Sequence, residues 1–160
     1  MKAYTDGACR ISNPGQCSCA WVIFQEDGNG PKYEGARYLG PELHTNNYAE
    51  YQGLIACLLF AAQQQLTGLT ICCDSTLVIN QVAGVWAVKQ EELQPHRDLA
   101  YALLVRGGHS LKWIRGHEQA DDKNDQIGNT YVDHLCNEEL DRVLGPSKGN
   151  ILKEKHASNS

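Results

Sequence analysis

The sequence contains no run of eighteen or more apolar residues, so it offers no segment long enough to cross a hydrocarbon layer of about 30 Å. Its first ten residues, MKAYTDGACR, lack the apolar stretch of a signal peptide. Both absences lead to the expectation of a soluble, intracellular (cytoplasmic) protein with no membrane partner. No C-x-x-C pair occurs either: the seven cysteines, Cys9, Cys17, Cys19, Cys57, Cys72, Cys73 and Cys136, fall mostly inside apolar stretches. That pattern predicts reduced core thiols rather than a zinc site or a disulfide frame. Positive charge is not in excess, and a net charge of −5 argues against a protein that coats nucleic acid. Any polyanionic substrate must therefore be held by local features. Internal repeats and low-complexity segments are absent as well. What is present is 160 residues with 42% hydrophobic content, enough for one globular core.

Two regimes follow along the chain. Up to about residue 40 the runs KAYT, CSCAWVIFQ and KYEGARYLG read as three short strands, separated by the turn clusters ISNPGQ and EDGNGP, and predict an antiparallel meander. From about residue 45 the period becomes helical. In TNNYAEYQGLIACLLFAAQQQ, Thr45, Asn46 or Asn47 can serve as N-cap to a long, largely buried helix. GLTICCD reads as a buried strand of the parallel kind, and STLVINQVA as a short helix with Ser75 at its start. PHRDLAYALLVRGG carries proline in its first turn and a glycine pair at its end. SLKWIRG is a further strand, and GNTYVDHLCNEELDRVLG a final helix closed by Gly145. The order β-β-β-α-β-α-α-β-α predicts an α/β fold: a mixed five-stranded sheet, three antiparallel strands then two parallel, flanked by helices. Residues 1–145 form the expected domain, and residues 146–160 a polar tail.

Acidic residues stand out against this frame. Asp6 and Asp74 both fall where a strand is expected to end, the place where open α/β sheets bind ligands. Glu50 lies inside the apolar first helix, where it also reads as the capping-box partner of a cap at Asn47. Asp133 lies in the last helix beside Val132 and Leu135, where it also reads as an exposed acid on an amphipathic surface. Four carboxylates gathered in one pocket would repel one another and lose solvation unless protons or cations compensate. Oxygen-only ligands favour Mg²⁺ or Mn²⁺ over zinc.

YTDGA near the start, TNNYAEYQGL opening the first long helix, CDSTLVINQV, WIRGH and NTYVDHL occur together in this order, from about residue 2 to residue 144. In this the chain resembles a type 1 ribonuclease H. The resemblance implies the ribonuclease H-like fold and an endonuclease that cuts the RNA strand of RNA/DNA hybrids. It implies two divalent ions and products with 3′-hydroxyl and 5′-phosphate ends. By position in the motifs, Asp6 would bridge both ions, Glu50 and Asp74 would complete the site where the attacking water lies, and Asp133 the other. His117 matches a flexible-loop histidine that assists proton transfer or product departure. Asn46 and Asn47 match a pair that contacts the RNA strand in the minor groove, where the 2′-hydroxyl distinguishes RNA from DNA. Gly7, Cys9 and Gly15 match positions that approach the hybrid backbone, Ser75 and Thr76 are candidate backbone contacts, and Asn129 matches an asparagine of open role. The partner implied is nucleic acid, met by a monomer.

Two departures qualify the likeness. VWAVKQEELQPHRD offers only Lys89 and Arg97 as basic side chains, where some bacterial members carry a basic protruding helix. Trp86 and Lys89 are left as substitutes for stacking and phosphate contact, although a tryptophan at a helix end is commonly a core residue. The loop EQADDKNDQIG is longer than usual and brings Asp121, Asp122 and Asp125, any of which is an alternative fourth ligand to Asp133. Rival readings are another nuclease of the same superfold, an exonuclease or a resolvase, and a catalytically weak binding module that keeps the fold.

Overall fold

The strand runs of the first forty residues pair as a meander, because each turn cluster returns the chain beside the strand it has just left. In the structure, a computed structural model describing residues 1–116 and 119–146, β1 (Lys2–Arg10) pairs antiparallel with β2 (Gln16–Phe24), and β2 with β3 (Pro31–Tyr38). The expected His117 site and all but the first residue of the expected tail lie outside the described residues. Helix α1 (Asn46–Gln63) crosses over to β4 (Thr70–Cys73), which lies parallel to β1. Helix α2 (Thr76–Val82) and a single 3₁₀ turn (Glu91–Leu93) lead into α3 (Gln94–Gly107). Strand β5 (Ser110–Trp113) then adds parallel to β4, and α4 (Lys123–Leu144) closes the fold. The sheet order is β3-β2-β1-β4-β5, the mixed five-stranded arrangement expected from the sequence.

Period-two alternation sorts the side chains of the central strands into two layers. Ala3, Trp21, Ile23 and Ile71 pack against α1 and α3 with Tyr51, Leu54 and Leu58, while Tyr4, Ala20, Val22 and Cys72 pack against Val132 and Cys136 of α4. Fully burying one such large side chain contributes about 1.5–3 kcal/mol, so the core rests on both layers. Thr45 caps α1, its Oγ1 accepting from the Tyr48 amide at 3.1 Å. With the cap at Thr45, Glu50 lies beyond the first turn and is released from the capping-box reading. Ser75 caps α2 through the Val78 amide, and Gly108 closes α3 in the left-handed conformation with φ 63°. Among the described residues no helix is long and apolar enough to cross a membrane.

Three expectations need correction. Strand β1 does not stop at Asp6 but runs to Arg10, because the antiparallel ladder with β2 continues through Cys9↔Cys17 and Arg10↔Gln16. Helix α4 begins at Lys123, five residues before Gly128. Asp122 caps it by accepting from the Asn124 and Asp125 amides at 2.8 and 3.2 Å, so most of the supposed acidic loop is a helical first turn without apolar periodicity. Cys9 and Cys17 form a disulfide, contrary to the expectation that all seven thiols are reduced. The two are cross-strand partners, a pairing that the spacing of cysteines along the chain does not reveal. Cys19, Cys57, Cys72, Cys73 and Cys136 are free and buried, as expected.

Candidate active site

Asp6 sits mid-strand on its antiparallel side and past the end of the ladder on its parallel side. The β1–β4 pairing ends at Tyr4↔Cys72, while Asp6 still pairs with Ala20 of β2. The sheet thus opens into a crevice beside Asp6, where an acid meets space instead of a neighbouring strand. Strand β4 ends at Cys73, and Asp74 follows at the mouth of the same crevice, its carbonyl accepting from the Trp113 indole at 3.2 Å.

Glu50 arrives from above because two glycines let α1 settle onto β1. A Cβ on Gly7 would lie 2.2 Å from the Ala49 carbonyl carbon and 2.4 Å from the Glu50 amide nitrogen, and one on Gly53 would lie 2.5 Å from the Asp6 carbonyl oxygen. Only a missing side chain on each permits the approach. As a result, Asp6, Glu50 and Asp74 each place a carboxylate oxygen within 4.8 Å of the others. Burial, then the charge of Asp74, pushes the Asp6 carboxyl well above the usual carboxylate range. Burial, then Asp6 and Asp74, does the same to Glu50.

These acids form the floor of a cleft of about 740 Å³, whose lining also includes Gly7, Cys9, Asn46, Asn47, Ser75, Asn129 and Asp133. Ten of the thirteen residues expected from the sequence line this cleft, and the three exceptions are specific. Gly15 is buried, bridged by backbone hydrogen bonds to His44 at 2.8 and 2.9 Å, and Thr76 is exposed on α2; neither lines the cleft. His117 lies outside the described residues. Asp125 does not line the cleft: it is 1% exposed and held by Lys2, Tyr4 and Lys112, whereas Asp133 stands at the cleft wall. Ala8, Gly116 and Thr130 line the cleft without having been singled out. Gly116 had a signal in the RGH motif, and a Cβ there would lie 2.7 Å from Asp74 Oδ2. Trp86 is not a core residue; it is 48% exposed and lines a second hollow with Lys89 and Leu77 that meets the main cleft at Asn47.

The donor set fits a hard divalent cation. Every candidate ligand is a carboxylate oxygen, and Glu50 Oε2 is buried without a hydrogen-bond partner, as is Asn129 Oδ1 on the cleft wall. A buried carboxylate oxygen with no donor is costly unless something positive meets it.

Known proteins are similar to this chain in both sequence and fold. The RNase H family model matches residues 1–141. Ribonuclease HI of Halobacterium salinarum is 40% identical over 105 residues, covering 66% of this chain and 51% of that protein. Ribonuclease H of Polaromonas naphthalenivorans is 33% identical over 159 residues, covering 89% of this chain and 88% of its own. The chain therefore spans about half the length of the first relative and most of the second. Among solved structures, LC11-RNase H1 in complex with an RNA/DNA hybrid superposes with a TM-score of 0.74 at 27% identity, covering 89% of this chain and 98% of that one. A likeness that runs from β1 into α4, in sequence and in backbone, means that the chain belongs to the RNase H family.

Proposed function

We propose that residues 1–145 form a monomeric nuclease that hydrolyses the RNA strand of RNA/DNA hybrids, leaving 3′-hydroxyl and 5′-phosphate ends. The observation that carries this reading is the convergence of Asp6, Glu50 and Asp74 from three separate elements within 4.8 Å, beneath an open cleft. The hybrid bound to LC11-RNase H1 supports the choice of substrate.

In this reading Asp6, Glu50, Asp74 and Asp133 would hold two divalent ions, Mg²⁺ or Mn²⁺. Bound there, the ions would supply activation of a water and stabilisation of negative charge on the leaving oxygen. The protein's own residues do the rest. Gly7 and Ala8 present a wall without bulk, on which a phosphate backbone can lie close. Asn46 and Asn47, in the first turn of α1, offer side-chain amide groups to the minor groove and its 2′-hydroxyls. Cys9, Ser75 and Asn129 border the path, and Gly15 and Thr76 stay outside it. His117 is assigned proton transfer or product departure. Trp86 and Lys89, in the hollow that adjoins Asn47, supply stacking and one phosphate contact in place of a basic protrusion.

Binding and cleavage separate this reading from that of a binding module. Asp74→Asn loses at least about 100-fold in cleavage and a much smaller factor in hybrid binding, since one metal ligand supports several kcal/mol of transition-state stabilisation. Equal loss of both would contradict the assignment. With few basic contacts, hybrid affinity falls steeply between about 50 and 200 mM salt and on chelation of divalent ions. Tight binding at high salt without divalent ions would be inconsistent with that.

A further inference from the structure

Asp125 belongs neither to the motifs nor to the lining of the carboxylate cleft. Its carboxylate is 1% exposed, yet three side chains from two strands converge on it. Lys2 Nζ lies 3.1 Å from Oδ1, the Tyr4 hydroxyl donates to the same oxygen at 2.7 Å, and Lys112 Nζ lies 2.6 Å from Oδ2. One turn further along α4, a Cβ on Gly128 would lie 2.3 Å from the Tyr4 ring, so the helix rests directly on that ring. Helix α4 is thus pinned to β1 by a charge clamp and a flush contact, both against Tyr4.

The clamp works at a distance fixed by two regular repeats. Asp125, Asn129 and Asp133 follow one another at four-residue spacing, on one side of the helix. Lys2, Tyr4 and Asp6 follow one another at two-residue spacing, on one face of β1. From Asp125 to Asp133 the helix rises about 12 Å at 1.5 Å per residue, and from Lys2 to Asp6 the strand advances about 13 Å at 3.3 Å per residue. Clamping Asp125 over Lys2 and Tyr4 therefore brings Asp133 level with Asp6 at the far end. The second half of α4 is tied by the Ser18 hydroxyl donating to the Cys136 carbonyl at 2.7 Å and by Arg10 against Asp141 at 2.7 Å; the three bonds to Asp125 fix the first turns, which lead to Asn129 and Asp133.

We propose that Asp125 is a positioning residue: its clamp on Lys2, Tyr4 and Lys112 sets the axial and rotational register of α4, and so the place of Asn129 and Asp133 relative to Asp6. The inference rests on the nuclease reading of that cleft. It accounts for the burial of Asp125 away from the cleft.

The test compares Asp125→Asn with the parent protein at a temperature well below both melting points. Loss of one charged acceptor loosens the clamp, so kcat on an RNA/DNA hybrid is expected to fall about tenfold or more while KM stays within about twofold, because the residues assigned to grip the hybrid lie chiefly on β1 and α1. Lys112→Met, which leaves Lys2 and Tyr4 in place, gives a smaller fall of the same kind and serves if Asp125→Asn does not fold. Independently of activity, amide resonances of Asn129 and Asp133 in Asp125→Asn are expected to move, while those of α3, which packs in the other layer of the sheet, stay. A lower melting temperature with unchanged kcat, a parallel loss in KM, or unmoved Asn129 and Asp133 resonances would overturn the proposal. If the parent protein itself cuts no hybrid, the nuclease reading fails, and the resonance shifts alone decide whether the clamp positions α4.

Discussion

Gly53 offers a substitution for which helix propensity and packing give opposite answers. Alanine is the better helix former by about 1 kcal/mol, so Gly53→Ala at an ordinary site in α1 would stabilise the protein. At this site the new Cβ would lie 2.5 Å from the Asp6 carbonyl oxygen and 3.2 Å from that of Ala20. Ordinary contact begins near 3.4 Å, so α1 must retreat from β1 by about 0.9 Å. Overpacking of this kind costs about 1–3 kcal/mol. Set against the propensity gain, the net loss is about 0–2 kcal/mol, or a fall in melting temperature of no more than about 8 °C. Activity responds more strongly. The retreat carries Glu50 away from Asp6, and a displacement near 1 Å in a reacting geometry costs about 100-fold. Thermal melts and steady-state cleavage of a hybrid, measured on the same preparation, should show a small loss of stability beside a large loss of kcat. A Gly53→Ala protein that is more stable by about 1 kcal/mol and fully active would refute the argument that this glycine brings the two carboxylates together.

In ion-free buffer Asp6→Asn should raise stability by about 1–2 kcal/mol as it abolishes cleavage, because it removes a buried charge from beside Glu50 and Asp74; denaturant melts with a chelator measure it. The raised carboxyls of Asp6 and Glu50 hold protons that the unfolded chain releases, so parent stability without ions should fall as pH climbs from about 4. A flat profile through that range would count against their burial. His109 acts in the opposite sense: burial holds its ring below the usual histidine value, and its Nδ1 accepts from the Leu69 amide at 3.0 Å. Its contribution is complete above about pH 6.5 and is lost as pH falls below it, a loss that should disappear from the melting profile of His109→Ala. Reduction of Cys9–Cys17, which closes a short loop, should cost at most about 2.5 kcal/mol, seen as a lower melting temperature in reductant that Cys17→Ala does not show.

The parts legible in the sequence were those written in local pattern. Strand and helix periods gave the order of elements, and the acids at Asp6, Glu50 and Asp74 stand out at strand ends and inside an apolar helix, whereas Asp133 reads as an ordinary helix acid that only its place in NTYVDHL singles out. The parts that were not legible depend on pairs distant in the chain. Cys9 meets Cys17 only once β1 and β2 are in register, and Asp125 reads as a loop acid until Lys2, Tyr4 and Lys112 surround it. Gly53 reads as a weak point in a helix because its purpose lies in the Asp6 carbonyl beneath it. Trp86 resembles a core residue in sequence, yet it borders a hollow beside Asn47, since among the described residues no further helix covers it.

The most direct test of the account is cleavage of an end-labelled RNA/DNA hybrid with Mg²⁺ or Mn²⁺, run beside the same RNA as a single strand, the same RNA paired with RNA, and the Asp74→Asn protein. Internal cuts are expected in the RNA strand of the hybrid alone, lost in the variant. A folded protein that, with metal present, cuts none of these substrates, or cuts the hybrid equally well without Asp74, would contradict it.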